Sequence, residues 1–246
     1  MASAPSSRLD FGIDNPQQFH SYWRRGIFFV LLGTGIIYAN RETNPQGGNA
    51  VGGVVIAIGI VYFVLAALFR YGSTITRPAA VRKMISALPW RGDEKVLDVG
   101  CGRGLVSVLA AEKAPKGRVT GIDIWDKHAL SGNTAEAARA NLQAAGVDKL
   151  VKIETMDPCK LTYPNASFDT VLSVLALHRL TPFGREKALS EMLRVLKPGG
   201  RIAILDTSHV SEYAGFLEQN GAQADSPVAA GWLLLRPSHF VIAQKQ

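Results

Sequence analysis

From residue 50 to residue 69 the chain reads AVGGVVIAIGIVYFVLAALF, a run of twenty residues without a single charge. At about 1.5 Å of rise per residue, a helix of that length crosses a hydrocarbon layer of about 30 Å. Helices in globular cores ordinarily keep a polar stripe facing water, and this run has none. It therefore predicts a transmembrane helix, the alternative being a helix wholly buried in a core. The run excludes a chain that is one uniformly soluble domain with evenly spread apolar residues.

A second apolar stretch precedes it. Residues 27–39 (IFFVLLGTGIIYA) are uncharged but short, with Arg24 and Arg25 before them and Arg41 and Glu42 after. Such a stretch fits a bilayer when arginines snorkel and aromatics such as Tyr22 and Trp23 sit among the headgroups. Residues 25–70 are thus predicted to form a helical hairpin with spans at 27–39 and 50–69; a re-entrant or interfacial segment is the alternative for the first. Residues 40–49 (NRETNPQGGN) carry Asn-Pro and Gly-Gly turn signals and suit the connection. Gly48 and Gly52, four apart, are candidate helix-packing residues. Arg8, Arg24 and Arg25 lie before the pair and Arg70, Arg77, Arg82 and Lys83 after it, against Arg41 alone in the loop, so the expected orientation puts both termini in the cytoplasm. Residues 1–24 read as a flexible cytoplasmic leader.

The net charge of +7 is spread as 6 Lys+Arg against 3 Asp+Glu before residue 80 and 21 against 17 after it. No basic block remains to serve as a nucleic-acid groove, and an anionic membrane surface accounts better for the excess. Cys101 and Cys159 are too few for a disulfide framework and lack neighbours at zinc spacing, so no metal is expected.

After Arg70 short β-branched runs alternate with Ala-, Leu-, Glu- and Lys-rich segments, the pattern of a parallel sheet with helices on both faces. Strands are predicted at 95–99, 118–124, 150–154, 169–174 and 201–206, and helices at 74–88, 105–114, 134–145, 183–196 and 210–220. Two further extended segments are expected near 223–231 and 239–243, the first confined to a sheet edge by Pro227.

The sequence VLDVGCGRG (residues 96–104) runs from a strand into a glycine-rich turn and on into a helix. Glycines there let backbone approach a ligand at the carboxyl end of a strand, where open α/β sheets bind cofactors. The spacing is not that of a dinucleotide fingerprint, and no Lys-Ser/Thr follows to make a phosphate loop. Asp123 ends the next strand, with a carboxylate suited to paired ribose hydroxyls. Met156 and Asp157 end the third, and Leu196-Lys197-Pro198-Gly199-Gly200 marks a helix stop before the fifth. Taken singly, Asp98 and Asp123 also read as strand-end acids that cap a following helix.

In this order and spacing the motifs resemble those of the class I S-adenosylmethionine-dependent methyltransferases, over residues 85–245. Gly121-Ile122-Asp123-Ile124-Trp125, Ser131-Gly132-Asn133 and Leu175-Ala176-Leu177-His178 are similar to a narrower group of small bacterial-type methyltransferases. The resemblance implies a Rossmann-like seven-stranded sheet over residues 71–246, in the order 3-2-1-4-5-7-6 with the last strand antiparallel, and S-adenosylmethionine as cofactor. It implies that Gly100, Cys101, Gly102 and Gly104 underlie the methionine part, that Asp98 lies near the ammonium, and that Asp123 holds the ribose. Asp157 would read the adenine amino group, with Met156 and Ile124 or Trp125 as walls, and Ser173 would open the segment 173–178 that enters the site.

Methyl transfer from a sulfonium is an in-line displacement in which alignment of the acceptor does most of the work. The Asn-Pro-Pro-Tyr type tetrapeptide of nucleic-acid and protein-amide methyltransferases is absent at 173–178, which argues against DNA bases and glutamine amides as acceptors. The membrane hairpin motivates a small or lipid-like acceptor on the cytoplasmic face instead. His178 is the candidate base or positioner, with a helix-start histidine bonded to backbone as the equal alternative. Asp206 with Thr207 and His209 is a second polar group, more simply read as a helix cap. A catalytically inactive membrane scaffold that retains the cofactor fold is the alternative function, and the oligomeric state is left open.

Overall fold

The computed structural model describes residues 9–233 and 235–246. Its first helix, α1 (Pro16–Asn40), starts earlier than the predicted span because Asn15 caps it, accepting from the Gln18 N–H, and Pro16 takes a first-turn position where its missing N–H costs nothing. The same device starts α2 (Pro45–Tyr71): Asn44 accepts from the Gly47 N–H and Pro45 follows, so residues 45–49 form the first helical turn and the connection shrinks to residues 41–44.

α1 and α2 run antiparallel and touch through glycines at seven-residue spacing. A Cβ on Gly33 would lie 2.6 Å from the Gly52 carbonyl, and one on Gly59 would lie 2.9 Å from the Gly26 carbonyl. Backbone contact this close needs small residues on both helices. Phe29 stacks on Tyr62 with centroids 5.7 Å apart, while Phe28, Leu31, Val54 and Val61 face outward. Among the described residues, the continuous helix from Pro45 to Ser86 is the one long and apolar enough to cross a membrane; α1 has the length, but Arg24 and Arg25 fall within it.

α2 passes through one π-helical turn (Gly72–Thr76) into α3 (Arg77–Ser86). An α/β domain follows: β1 (Lys95–Val99), α4 (Leu105–Lys113), β2 (Arg118–Asp123), α5 (Ala135–Ala144), β3 (Val151–Thr155), β4 (Phe168–Val174), α6 (Pro182–Val195), β5 (Leu196–Asp206), α7 (Val210–Gln219), β6 (Ala222–Ala224), β7 (Val228–Leu233) and β8 (Arg236–Lys245). β3, β2, β1, β4 and β5 are parallel neighbours, and β8 pairs antiparallel with β5. One face of the sheet packs Val81, Met84, Leu109 and Leu142 from α3, α4 and α5. The other packs Leu189, Met192, Tyr213 and Leu217 from α6 and α7.

Among the described residues the expected seven strands are eight. The order is β3-β2-β1-β4-β5-β8-β6, with β7 also on β8, so the antiparallel strand expected as the seventh is β8. The tail yields three strands because Pro227, lacking an N–H, separates β6 from β7, which pair with opposite ends of β8. The predicted turn at 197–200 lies inside the irregular start of β5, where the register against β4 shifts between Phe168 and Thr170. Residues 9–15 are no free leader: they lie along the domain, with an isolated bridge between Asp14 and Leu130. Residues 1–8 of the predicted leader are outside the described residues.

Candidate active site

β1 and β4 are neighbours although β2 and β3 intervene in sequence. Chain reversal of this kind opens a crevice at the carboxyl ends of the strands, and a cavity of about 210 Å³ lies there. The turn after β1 is its floor. The Gly100 and Cys101 N–H groups both donate to the Ile122 carbonyl at 2.9 Å, folding the turn toward β2. Gly100 has φ +76, and a Cβ on it would stand 2.4 Å from the Ala176 Cβ; one on Gly102, φ +53, would stand 2.9 Å from Leu130. A larger residue at Gly100 would displace the loop that follows β4, and one at Gly102 would be strained by its positive φ and would push the Leu130 side chain aside. Gly104, also at positive φ, begins α4.

Asp123, at the end of β2, organises the next wall. Its Oδ2 accepts from the Gly102 N–H at 2.8 Å, and its Oδ1 accepts from the Trp125 N–H at 2.6 Å and from Asn133 Nδ2 at 3.2 Å. Three donors on a carboxylate with about four acceptor positions fix its orientation. Asn133 is buried, and its Oδ1 has no partner. Ile124 lines the cavity and is largely exposed. Trp125 and Leu175, at the ends of β2 and β4, both hold positive φ (63 and 52), a conformation that costs a non-glycine residue about 1–2 kcal/mol.

Several candidates lie off the cavity. Asp98 is fully buried, with its Oδ2 accepting from Ser107 Oγ at 2.6 Å and its Oδ1 unpartnered. Burial pushes its pKa up to about 7, the Ser107 hydrogen bond opposing and the Asp123 charge adding to the rise; the strand simply ends too deep for its side chain to reach a ligand. Ser173 is likewise buried and donates to the Val99 carbonyl at 3.0 Å, stitching β4 to β1. Trp125 turns its indole N–H to Thr155 Oγ1 at 2.7 Å. Met156 and Asp157 are next to Pro158, which lines the cavity, and Asp157 accepts from the Cys159 N–H. Cys101 lines the cavity, and burial first, then the charges of Asp98 and Asp123, raise its thiol well above the usual range, leaving it a neutral small residue.

His178 turns away as well. It begins a short 3-10 turn (Leu177–Arg179), its Nδ1 stands 2.8 Å from Asp206 Oδ1, and its N–H donates to Asp206 Oδ2 at 3.2 Å. Leu177, Arg179 and Leu180 line the cavity instead. Asp206 is no helix cap: fully buried, it also accepts from the Thr207 N–H and from Tyr213 Oη, and so ties the loop after β4 to β5 and α7.

The structure brings in residues that the motifs did not mark. Phe11 and Asp14, from the segment before α1, and Arg77, at the start of α3, form one wall. Arg77 Nη1 pairs with Asp14 Oδ1 at 2.5 Å, and its Nη2 donates to the Phe11 and Gly12 carbonyls. Arg103 and Arg179 line the cavity too, paired with Asp10 at 3.0 Å and Asp126 at 3.8 Å. Asn133 lay within a quoted motif, but nothing in the sequence links Asp14 to Arg77.

This parallel sheet, its glycine turn packed under a cavity and the fixed acid at the end of β2 define an α/β domain with a cofactor-type crevice at its strand ends. Residues 96–200 match the family described as a methyltransferase domain. The chain is 36% identical over 133 residues to the 27-O-demethylrifamycin SV methyltransferase of Amycolatopsis mediterranei, covering 54% of this chain and 46% of that protein. It is 34% identical over 128 residues to a demethylmenaquinone methyltransferase of Symbiobacterium thermophilum, covering 52% and 48%. The chain thus spans about half the length of these curated relatives. In fold it resembles a SAM-dependent methyltransferase from Aquifex aeolicus, with a TM-score of 0.58 at 20% identity over 74% of this chain and 98% of that one.

In sequence and in fold this part of the chain is thus similar to S-adenosylmethionine-dependent methyltransferase domains, and S-adenosylmethionine is the cofactor that the matching family and fold imply. The cavity fits it: a Cβ at Gly100 or Gly102 would crowd the turn, Asp123 is fixed at the strand end, and Asn133 keeps an unfilled acceptor.

Proposed function

We propose that this chain is a membrane-anchored methyltransferase that transfers a methyl group from S-adenosylmethionine to a small or lipophilic acceptor at the cytoplasmic face of a bilayer. The observation that carries the reading is the wall made by Phe11, Asp14 and Arg77: the two stems of the apolar hairpin border the cavity directly. A lipophilic molecule dissolved in the bilayer would then reach the cavity without crossing open water, and tethering raises its local concentration. The relatives support the acceptor class, since their names specify a demethylrifamycin and a demethylmenaquinone.

When bound, the cofactor supplies an electrophilic methyl on a sulfonium, a very good leaving group. The chain then has to orient and to exclude water. Gly100 and Gly102 admit the ligand against backbone, Asp123 would fix the ribose, and Leu130, Leu175 and Leu177 line the space beside them. His178 faces Asp206, so the mechanism assigns it to shaping the loop after β4 rather than to proton removal.

Calorimetric titration of S-adenosylmethionine into the detergent-solubilised chain, with Asp123→Ala as control, tests the cofactor. Transfer of radiolabelled methyl into a bacterial lipid extract tests the acceptor. Binding without transfer to lipids or small amphiphiles would favour the inactive scaffold. Protease protection of tags at the two termini in sealed vesicles tests the orientation, and opposite protection of the tags would refute a two-span hairpin.

A further inference from the structure

An S-adenosyl cofactor ends in an α-amino acid, whose ammonium and carboxylate both need partners. Asp98, the acid that the resemblance places near the ammonium, is sealed behind the glycine turn and engaged by Ser107. Three other acids line the cavity. Asp123 already accepts three hydrogen bonds, and Asp126 accepts from the His128 N–H and faces Arg179. Asp14 is different: it is 8% exposed, one oxygen is held by Arg77, and the other has no partner.

Arg77 has the complementary deficit. It is 6% exposed, its two terminal nitrogens are used, and its Nε is unpartnered. A buried ion pair recovers the cost of leaving water only when its remaining bonding positions are also filled. This pair leaves one acceptor and one donor unfilled in two side chains that line the cavity. The Arg103 Nε and Asn133 Oδ1 are unfilled there too, but among the described residues that line it only Asp14 and Arg77 join a free carboxylate oxygen and a free guanidinium donor in one ion pair.

The two residues are brought together by the hairpin's stems. The Asp14 N–H donates to Ser73 Oγ at 3.2 Å. Ser73 lies in the π-helical turn, four residues before Arg77, so one face of that helix meets the segment before α1 at both positions. A π turn inserts one residue into the helical register, which sets which side of α3 faces the domain.

We propose that Asp14 and Arg77 bind the amino-acid end of the cofactor, Asp14 receiving the α-ammonium and Arg77 the α-carboxylate. The proposal rests on the reading that this cavity takes S-adenosylmethionine. It makes the hairpin's stems part of the cofactor site, so that binding ties α1 and α3 to the sheet.

The test is calorimetric, on the full chain in detergent, with three ligands: S-adenosylhomocysteine, its decarboxylated analogue and 5′-methylthioadenosine, which lacks the whole amino-acid end. Asp14→Asn is expected to weaken S-adenosylhomocysteine and the decarboxylated analogue at least tenfold, and Arg77→Gln to weaken S-adenosylhomocysteine alone by that factor. Methylthioadenosine is expected to hold within twofold in both, which also certifies that each variant is folded. Equal losses for all three ligands in the near-isosteric Asp14→Asn would reduce the pair to a structural staple and overturn the proposal, as would unchanged S-adenosylhomocysteine binding. A wild-type chain that binds none of the three overturns the cofactor reading and this proposal together.

Discussion

Replacing Asp98 with Asn removes a carboxyl that the fold holds out of water. Burial is the main cause of its raised pKa, about 7 against an ordinary 3.8. Between those values the folded chain keeps a proton that the unfolded chain has already lost, so stability from this group is complete below about pH 4 and declines as pH rises toward 7. At 1.36 kcal/mol per pH unit, the interval from 3.8 to about 7 corresponds to a loss of about 4 kcal/mol, a large share of the 5–15 kcal/mol that holds a typical domain folded. Asn keeps an acceptor for Ser107 Oγ but cannot ionise. Its amide places donors beside a buried position that has no partner now, at a constant cost of about 1–3 kcal/mol. Urea unfolding of both proteins between about pH 4 and pH 8, followed by tryptophan fluorescence, isolates the pH-dependent part, because every other group titrates alike in the two. The variant is expected to be the less stable at the acid end and to gain on the wild type as pH rises. A stability difference that stays flat across the range would show that Asp98 ionises as an ordinary exposed acid, and would refute the account of it as a buried acid sealed behind the glycine turn.

Gly100→Ala is expected to lower stability by about 3 kcal/mol or more and to abolish cofactor binding, because strain at φ +76 is joined by the collision with Ala176; Gly146→Ala, at φ +71 with open space around it, is expected to cost only about 1 kcal/mol. Thermal unfolding compares the two, and equal losses would remove the steric argument. His178→Ala is expected to destabilise the chain by no more than about 1 kcal/mol, by removing the Nδ1 contact with Asp206 while the backbone N–H bond to that carboxylate is kept, and to leave cofactor affinity within threefold. A hundredfold fall in turnover at unchanged stability would instead make His178 a base. Cys101 is expected to resist iodoacetamide at pH 8 and Cys159 to react first, as read by peptide mass spectrometry, since the Cys101 thiol is the more deeply buried and its ionisation is pushed well up.

Much of the fold was legible because its signals are local. β1 and α7 begin where expected, and the strand–glycine turn–helix at 95–113 is as read, because alternation, caps and glycines act within a few residues. Caps also explain the main boundary errors: Asn15-Pro16 and Asn44-Pro45 start both hairpin helices before their apolar runs do. In the tail the sequence predicts one edge segment containing Pro227, whereas Pro227 lies between two strands, because β8 is long enough to pair with both.

At the site, sequence by itself determined the floor and the wall beside it, Gly100, Gly102 and Asp123, since each follows directly from the end of a strand whose direction the pattern sets. It could not determine which acids reach the cavity. Asp98 and Ser173 sit in strands that point toward it yet spend their polar atoms on Ser107 and Val99, and His178 is drawn off by Asp206. Those choices depend on hydrogen-bond partners 9, 74 and 28 residues away. The wall of Asp14 and Arg77 is wholly a tertiary result: the two lie 63 positions apart across the hairpin, and only the antiparallel return of α2 along α1 closes that loop and buries the pair beside the glycine turn.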